Sequence, residues 1–390
     1  MDRTAGVTRP AGFRAAGIAA GIKASGALDL TLVVTDGPAQ AAAGVFTTNK
    51  VKAAPVLWSQ QVLAQRSLKA VVLNSGGANA ATGPEGFQDT HATAEKVAAV
   101  LGVGAVEIAV CSTGLIGERL PMPAVLAGID TAAAALADTD DAGLAAATAV
   151  LTTDTHPKQA TASHPDGWSI GGFVKGAGML APNLATMLCV LTTDANLTGD
   201  QLDTALRKAT AATFDTLDVD GGTSTNDTVL LLASGASGHT PTEAEFAALL
   251  TTVSADLVRQ LLGDAEGVTK EIDIVVRGAA SAADAVLIAR TVAEDNLVKT
   301  ALFGSDPNWG RIAMAAGRAG ADLDPELLSI QVNGILLLDK GVKAMDRSAA
   351  DLSGRQVEIV IELNLGAGAA TVLTTDLSHG YVDENSAYSS

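Results

Sequence analysis

The pair Ala185–Thr186 combines the residue types that a self-cleaving peptide bond requires. Glycines and a proline make the stretch 176–182 irregular, and the apolar run 187–191 is typical of a buried strand. The Thr186 hydroxyl can attack the carbonyl before it, which moves the acyl group from nitrogen to oxygen, and hydrolysis of that ester cuts the chain. The new N-terminal threonine carries its own base, because a free α-amino group has a pKa of about 7.7–8.0. Spacing alone also fits an ordinary loop that enters a strand.

Motifs along nearly the whole chain carry a resemblance to one family. They are Gly44–Pro55, Ser112–Gly117, Thr152–Lys158, Lys175–Leu188, Asp220–Asp227, Leu297–Ile312 and Asn385–Ser390. In this order they resemble the ornithine acetyltransferases, also called glutamate N-acetyltransferases, of arginine biosynthesis. The stretch around Ala185–Thr186 resembles the self-cleavage motif of that family.

The resemblance implies an activity and a processing event. The family moves the acetyl group of N2-acetyl-L-ornithine to L-glutamate through an acetyl-enzyme on the N-terminal threonine, here Thr186. Acetyl-CoA is a possible second donor, and no cofactor is expected. Cleavage would give an α piece of residues 1–185 and a β piece of residues 186–390, and the family implies two of each in an assembly.

The resemblance also assigns roles to individual residues. Thr113 and Gly114 match the pair that holds the oxyanion in the family, and a hydroxyl and a glycine amide just past a strand can donate two hydrogen bonds to a developing oxyanion. The positions that match substrate-binding residues are Thr152, Lys175, Thr186, Glu266, Asn385 and Ser390. Without the resemblance, these residues fit turns, helix ends, exposed charges and a frayed terminus equally well.

Two departures limit what can be carried over. The family usually has asparagine where this chain has Gly77 and cysteine where it has Ala81, so the loop 74–79 receives no role. The family often has aspartate at Gly222, which weakens any catalytic claim on the loop 218–227. That loop is acidic but lacks the spacing of a calcium-binding loop, and no metal site is predicted.

Hydrophobic periodicity predicts a mixed α/β fold. Strand patterns at 28–35, 69–73, 106–111, 169–174, 271–276 and 357–363 alternate with helical patterns at 84–101, 121–136, 141–151, 198–213, 242–262 and 283–293. The expected architecture is therefore mixed sheets packed with helices, and the resemblance implies an ornithine acetyltransferase-like fold. We place a domain boundary near residue 275, between a larger domain of residues 1–275 and a sheet-rich domain of residues 276–390.

Composition excludes some partners. A net charge of −18 with only 3% aromatic residues disfavours nucleic acid. No apolar stretch is long enough for a membrane span, so a cytoplasmic enzyme is expected. Cys111 and Cys189 each lie in or at an apolar run and are predicted to be buried, reduced thiols. An anionic substrate would need local positive charge, and Lys175 is the candidate to supply it.

Two other classes of function remain alternatives. An N-terminal-nucleophile aminopeptidase on a similar fold would typically present serine at the cut rather than Thr186. An uncut binding protein that had lost activity is disfavoured, because degenerate copies would be expected to lose some of the matched residues. Nucleotide binding through 171–176 is excluded, since the stretch lacks the GxxxxGK[ST] order.

Overall fold

The computed structural model describes residues 2–180 and 187–387. Within them the chain forms three β-sheets packed with helices, which confirms the predicted mixed α/β fold. The first sheet has the strand order β1-β2-β4-β5, in which only β4 and β5 are parallel neighbours. Its strands are β1 (Phe13–Ile18), β2 (Leu30–Thr35), β4 (Ala70–Ser75) and β5 (Ile108–Thr113).

The second sheet lies against the first and has the order β3-β9-β8-β7-β6, with β8 and β9 parallel. Its central strand alternates between two hydrophobic cores: Leu188 and Val190 pack into the core of the first sheet, whereas Cys189 and Leu191 face the opposite core. The strands are β3 (Ala41–Phe46), β6 (Lys158–Ser163), β7 (Ser169–Lys175), β8 (Leu188–Thr193) and β9 (Thr228–Ala233).

Helices cover the outer faces of both sheets. α3 and α4 contact β1 and β2, while α5 contacts β3 and α6 contacts β6 and β7, so the layers run helix–sheet–sheet–helix. Thr198 and Thr242 cap α5 and α6 through capping boxes. These helices and their neighbours are α1 (Ala54–Val62), α2 (Gly83–Leu101), α3 (Met122–Ala134), α4 (Asp140–Ala149), α5 (Gly199–Ala212) and α6 (Glu243–Gly263).

The third sheet has its own core and the order β13-β12-β11-β14-β10-β15. Helix α7 packs on β10 and β15. Residue 275, where the sequence places the domain boundary, lies within β10. That boundary stays a prediction. The elements are β10 (Glu271–Ala279), α7 (Ala282–Ala293), α8 (Asn296–Phe303), α9 (Trp309–Gly317), β11 (Ser329–Val332), β12 (Ile335–Asp339), β13 (Val342–Lys343), β14 (Gln356–Glu362), β15 (Gly368–Thr375) and α10 (His379–Ala387).

Both cysteines are buried and unpaired, as predicted. Burial raises the pKa of the Cys111 thiol to about 12 and also raises that of Cys189. The thiolate is the reactive form of cysteine, so these side chains serve packing. None of the helices in the described parts of the chain is long and apolar enough to cross a membrane.

The segment before β9 meets the third sheet near two largely buried charged residues, Asp218 and Lys299. The Asp218 amide donates to Leu373 O at 2.8 Å, and the Lys299 ammonium, largely buried, donates to the Thr374 hydroxyl at 3.1 Å. Burial and the neighbouring Glu294 carboxylate raise the pKa of Asp218 to about 8, and burial lowers the pKa of Lys299 to about 8.

We expect Asp218→Asn to stabilise the protein at alkaline pH and to have little effect at pH 5. The folded pKa of Asp218 exceeds its unfolded value, so the folded state binds more protons between about pH 4 and pH 8 and loses stability as the pH rises through that window. Asparagine cannot ionise and therefore removes this loss. The test is the difference in Tm between variant and wild type from pH 5 to pH 9.

The matched control is the same change at the exposed Asp322. We expect its Tm difference to stay flat with pH. A flat difference for Asp218→Asn as well would show that this carboxyl does not titrate in the window.

Candidate active site

The site lies where strand ends of the first and second sheets meet. β7 ends at Lys175, which pairs with Leu188 at the start of β8, and Leu188 pairs with Thr228 at the start of β9. Thr113 ends β5 in the neighbouring sheet. The Asn226 amide ties the two sheets together here, because its Nδ2 donates to Ser112 O at 2.8 Å and to Ala78 O at 2.6 Å.

Lys175 is a buried cation, not the solvated surface charge that composition alone would suggest. Its side chain is 2% exposed, and its Nζ donates to Thr152 Oγ1 at 2.8 Å and to Thr113 Oγ1 at 3.2 Å. The Asp154 carboxylate lies 3.9 Å from Nζ. Burial lowers the pKa of Lys175, and Asp154 is the chief group that raises it.

The peptide between Thr113 and Gly114 is held in one orientation. Thr113 O accepts hydrogen bonds from the amides of Gly76 and Gly77 at 2.9 and 3.0 Å. Because a trans peptide directs its C=O and N–H to opposite sides, the Gly114 N–H points away from those amides. Gly114 has a φ of 130°, and an added Cβ would lie 2.5 Å from Gly77 N. Only glycine fits here.

The Thr113 hydroxyl accepts a hydrogen bond from Lys175, so its own O–H remains available to donate. A hydroxyl that accepts from an ammonium is polarised and becomes a better donor. With the Gly114 amide it forms a pair that could stabilise negative charge on an acyl oxygen.

Glu266 and Asn385 lie on the other side of the same space. Asn385 Nδ2, on α10, donates to Glu266 Oε2 at 2.9 Å. The Glu266 amide donates to Ala177 O at 2.9 Å, which holds this acid in place although it follows the C-terminus of a helix. The Glu266 carboxylate packs so closely against Gly178 that a Cβ there would collide with it.

The described residues of the motif 175–188 are held in place by hydrogen bonds. Gly176 N donates to Asp154 Oδ1 at 2.6 Å, and Met179 N donates to Asp220 Oδ2 at 2.7 Å. Met179 has a φ of 56°, a left-handed conformation that is uncommon for a residue with a side chain. Met187, where the described residues resume, donates its amide to Asp227 Oδ1 at 3.0 Å.

A cavity of about 160 Å³ brings together every predicted site residue within the described ranges. Ala185, Thr186 and Ser390 lie outside those ranges. The lining residues are Thr113, Gly114, Ile116, Thr152, Thr153, Lys175, Ala177, Gly178, Met179, Glu266 and Asn385. The cavity therefore offers hydroxyl and amide donors, one buried cation and one carboxylate, while Ile116 and Met179 add apolar surface.

Asp154, Asn226 and Asp227 were not singled out from the sequence. All three belong to motifs that carry the resemblance, and this membership is the sequence feature that could have indicated their place near the site. Asp227 is fully buried, and burial raises its pKa well above the usual range despite the Met187 amide.

One group of possible metal ligands occurs among the described residues, and it does not line the cavity. It consists of His164 and Asp166, in the turn between β6 and β7, with Glu245 near the start of α6. Both carboxylates are exposed, and nothing further follows from their proximity.

Comparison with known proteins identifies the family. A profile of the ArgJ family matches residues 14–390. The arginine biosynthesis bifunctional protein ArgJ of Mycolicibacterium paratuberculosis is 62% identical over 393 residues, which cover 100% of this chain and 97% of that protein. The protein of the same name from Mycobacterium tuberculosis is 58% identical with the same coverage. A crystal structure of ornithine acetyltransferase complexed with ornithine, also from Mycobacterium tuberculosis, is 60% identical, with a TM-score of 0.46, and covers 48% of this chain and 98% of that chain.

These matches place the protein among the acetyltransferases of arginine biosynthesis. The chain belongs to the ArgJ family.

Proposed function

We propose that the protein transfers the acetyl group of N2-acetyl-L-ornithine to L-glutamate through an acetyl-enzyme on Thr186, after self-cleavage between Ala185 and Thr186. The observation that carries the proposal is the single cavity in which Thr113, Gly114 and Lys175 meet Glu266. Relatives that are 58–62% identical are named arginine biosynthesis bifunctional proteins, which agrees with such substrates.

In the proposed first half-reaction, the Thr186 amine removes the proton of its own hydroxyl and Oγ bonds to the acetyl carbon. The negative charge that develops on the acetyl oxygen is stabilised by the Thr113 hydroxyl and the Gly114 amide. The carbon–nitrogen bond then breaks, the proton passes to the departing amine, and ornithine leaves.

In the second half-reaction, the amine of glutamate attacks the ester, loses a proton to the Thr186 amine, and leaves as N-acetylglutamate while the threonine hydroxyl is restored. Lys175 supplies the positive charge that a carboxylate-bearing substrate needs in a chain of net charge −18. Glu266 would bind the amino group of the substrate, and Thr152, Asn385 and Ser390 would add hydrogen bonds. No cofactor enters this scheme.

The test is isotope exchange in each half-reaction. A ping-pong enzyme exchanges labelled ornithine into N2-acetylornithine with glutamate absent, because the acetyl-enzyme forms without it. We expect this exchange, and we expect labelled glutamate to exchange into N-acetylglutamate with ornithine absent. Exchange that requires both substrates together would contradict the covalent intermediate.

Three further assays separate the alternatives. Acetyl-CoA with labelled glutamate shows whether the thioester is a second donor. Hydrolysis of amino-acid anilides without acetyl transfer would favour an aminopeptidase. Binding of N2-acetylornithine without any turnover would favour a non-catalytic binding protein.

A further inference from the structure

Lys175 stands in a buried network of alternating charges that the proposed reaction does not yet use. Asp154 Oδ1 accepts from Lys158 Nζ at 2.7 Å, and Lys158 Nζ also lies 2.5 Å from Asp264 Oδ2. The side chains of Asp154 and Lys158 are fully buried, and that of Asp264 is 4% exposed. Two ammonium groups and two carboxylates therefore balance one another beneath the cavity.

Asp154 contacts two backbone amides near Lys175 as well as the two lysines. Its Oδ1 also accepts from the Gly176 amide at 2.6 Å, directly after Lys175, and its Oδ2 accepts from the Thr152 amide at 3.1 Å. Thr152 in turn accepts from Lys175 Nζ at 2.8 Å. One carboxylate therefore binds the amide that follows Lys175 and the amide of Thr152, whose hydroxyl accepts from Lys175. The same carboxylate also faces the Lys175 ammonium.

The charges around Lys175 come from several elements. Those that face it are Lys23 from the segment after β1, Asp154 and Lys158 from the 152–158 stretch, Asp227 from before β9, and Glu266 from after α6. Asp154 has the largest effect of these. Burial alone would raise the pKa of Asp154, but Lys175 and Lys158 lower it to about 2, so it stays ionised.

We propose that Asp154 is the positioning residue of this site: it orients the Lys175 ammonium and keeps it charged, so that Lys175 can bind a substrate carboxylate. The inference rests on the proposed function, because it takes Lys175 as the group that binds the substrate. Asp154 itself does not line the cavity.

The first test is the pH dependence of Asp154→Asn. Loss of the carboxylate lowers the pKa of Lys175 further, so the variant should lose activity at a lower pH on the alkaline side. At neutral pH we expect the KM for glutamate to rise about ten-fold or more, because the charge-assisted hydrogen bond between Lys175 and the substrate carboxylate is lost. We expect kcat to change less. An unchanged KM and an unchanged alkaline limb would overturn the proposal.

The matched control is Asp264→Asn. It removes the other carboxylate that Lys158 contacts, with the same chemical change at a similarly buried position, but Asp264 does not face Lys175. We expect a loss of thermal stability with the alkaline limb in its wild-type place. An equal shift in both variants would mean that general loosening is the cause, and this would also overturn the proposal.

A double variant tests whether Asp154 acts through Lys175. Lys175→Ala should raise KM and abolish the alkaline limb, and Asp154→Asn in that background should add little further. If the effects of the two substitutions on KM multiply, the two residues act independently, and this would contradict a role of Asp154 through Lys175.

A readout without turnover keeps this inference separate from the proposed function. In protein labelled with 13Cε-lysine, the Lys175 signal, assigned by its loss in Lys175→Ala, reports the protonation of its ammonium group. A lowered pKa in Asp154→Asn supports the network even if the wild type transfers no acetyl group, whereas an unchanged pKa refutes the network while leaving acetyl transfer intact.

Discussion

Thr186→Ala is expected to leave the chain uncut and inactive. Alanine has no hydroxyl to attack the Ala185 carbonyl, so the acyl shift from nitrogen to oxygen cannot occur. The same substitution removes the nucleophile of the mature enzyme, so acetyl transfer should fall by about 10⁴- to 10⁶-fold, as it does when a covalent nucleophile is lost. Intact mass under denaturing conditions should show one species near 39.1 kDa.

The wild type provides the comparison. We expect two pieces, residues 1–185 and residues 186–390, and N-terminal sequencing of the larger should read Thr-Met-Leu. Thr186→Ser keeps a hydroxyl and should still be cut. Cleavage of this variant would show that Thr186→Ala stays whole because it lacks the hydroxyl and not because the local structure has changed. A wild-type chain that stays whole would contradict self-cleavage and favour the binding-protein alternative.

Hydrogen bonds hold the described residues on both sides of the predicted cleavage site. On one side Leu180 O accepts from the Val219 amide at 2.5 Å, and on the other the Met187 amide donates to Asp227 at 3.0 Å. The pair Ala185–Thr186 lies outside the described residues, so its cleavage remains a prediction that rests on the motif.

Periodic segments with clear end signals were predictable. The Thr198 and Thr242 capping boxes begin α5 and α6, because a threonine followed three residues later by Gln or Glu satisfies the first free amides of a helix. Strand patterns also located β5 and β7, although their ends differ by one or two residues. Such local rules act within a few residues and therefore show in the sequence.

Glycine and proline make the region 303–311 typical of a turn, but two short helices flank that turn. α8 ends at Phe303 and α9 begins at Trp309, with the Asn308 side chain accepting from the Arg311 amide at 3.2 Å. Because both helices are short and glycine and proline lie between them, hydrophobic periodicity does not indicate either helix. α10 was also missed, because no residue of this helix is buried and no apolar stripe marks it.

The site illustrates a different limit. The resemblance indicated Lys175 and Glu266, but residue types alone favoured exposed charges for both. Lys175 is buried beside the Asp154 carboxylate, which also pairs with Lys158, and the position of Glu266 depends on contacts with distant residues. Only the pairing of strands far apart in sequence brings such groups together, and pairing order is not encoded locally.

Thr113→Val is expected to reduce kcat by about 10²- to 10³-fold, the usual effect of losing one oxyanion donor. Valine nearly preserves the shape of threonine but cannot donate a hydrogen bond. Since the oxyanion is absent from the bound substrate and develops only during the reaction, the KM for N2-acetylornithine should change little. Lys175 keeps Thr152 as an acceptor, so the cation should stay in place.

Thr113→Ser is the matched control, because it keeps the hydroxyl and should retain most of the activity. Intact mass must be measured for both variants, since an uncut chain would lack the nucleophile for a separate reason. A cut Thr113→Val enzyme with wild-type kcat would remove this hydroxyl from the oxyanion site and leave the Gly114 amide as its remaining proposed donor. Gly114→Ala is a poorer test of that amide, because its Cβ would displace the backbone at Gly77.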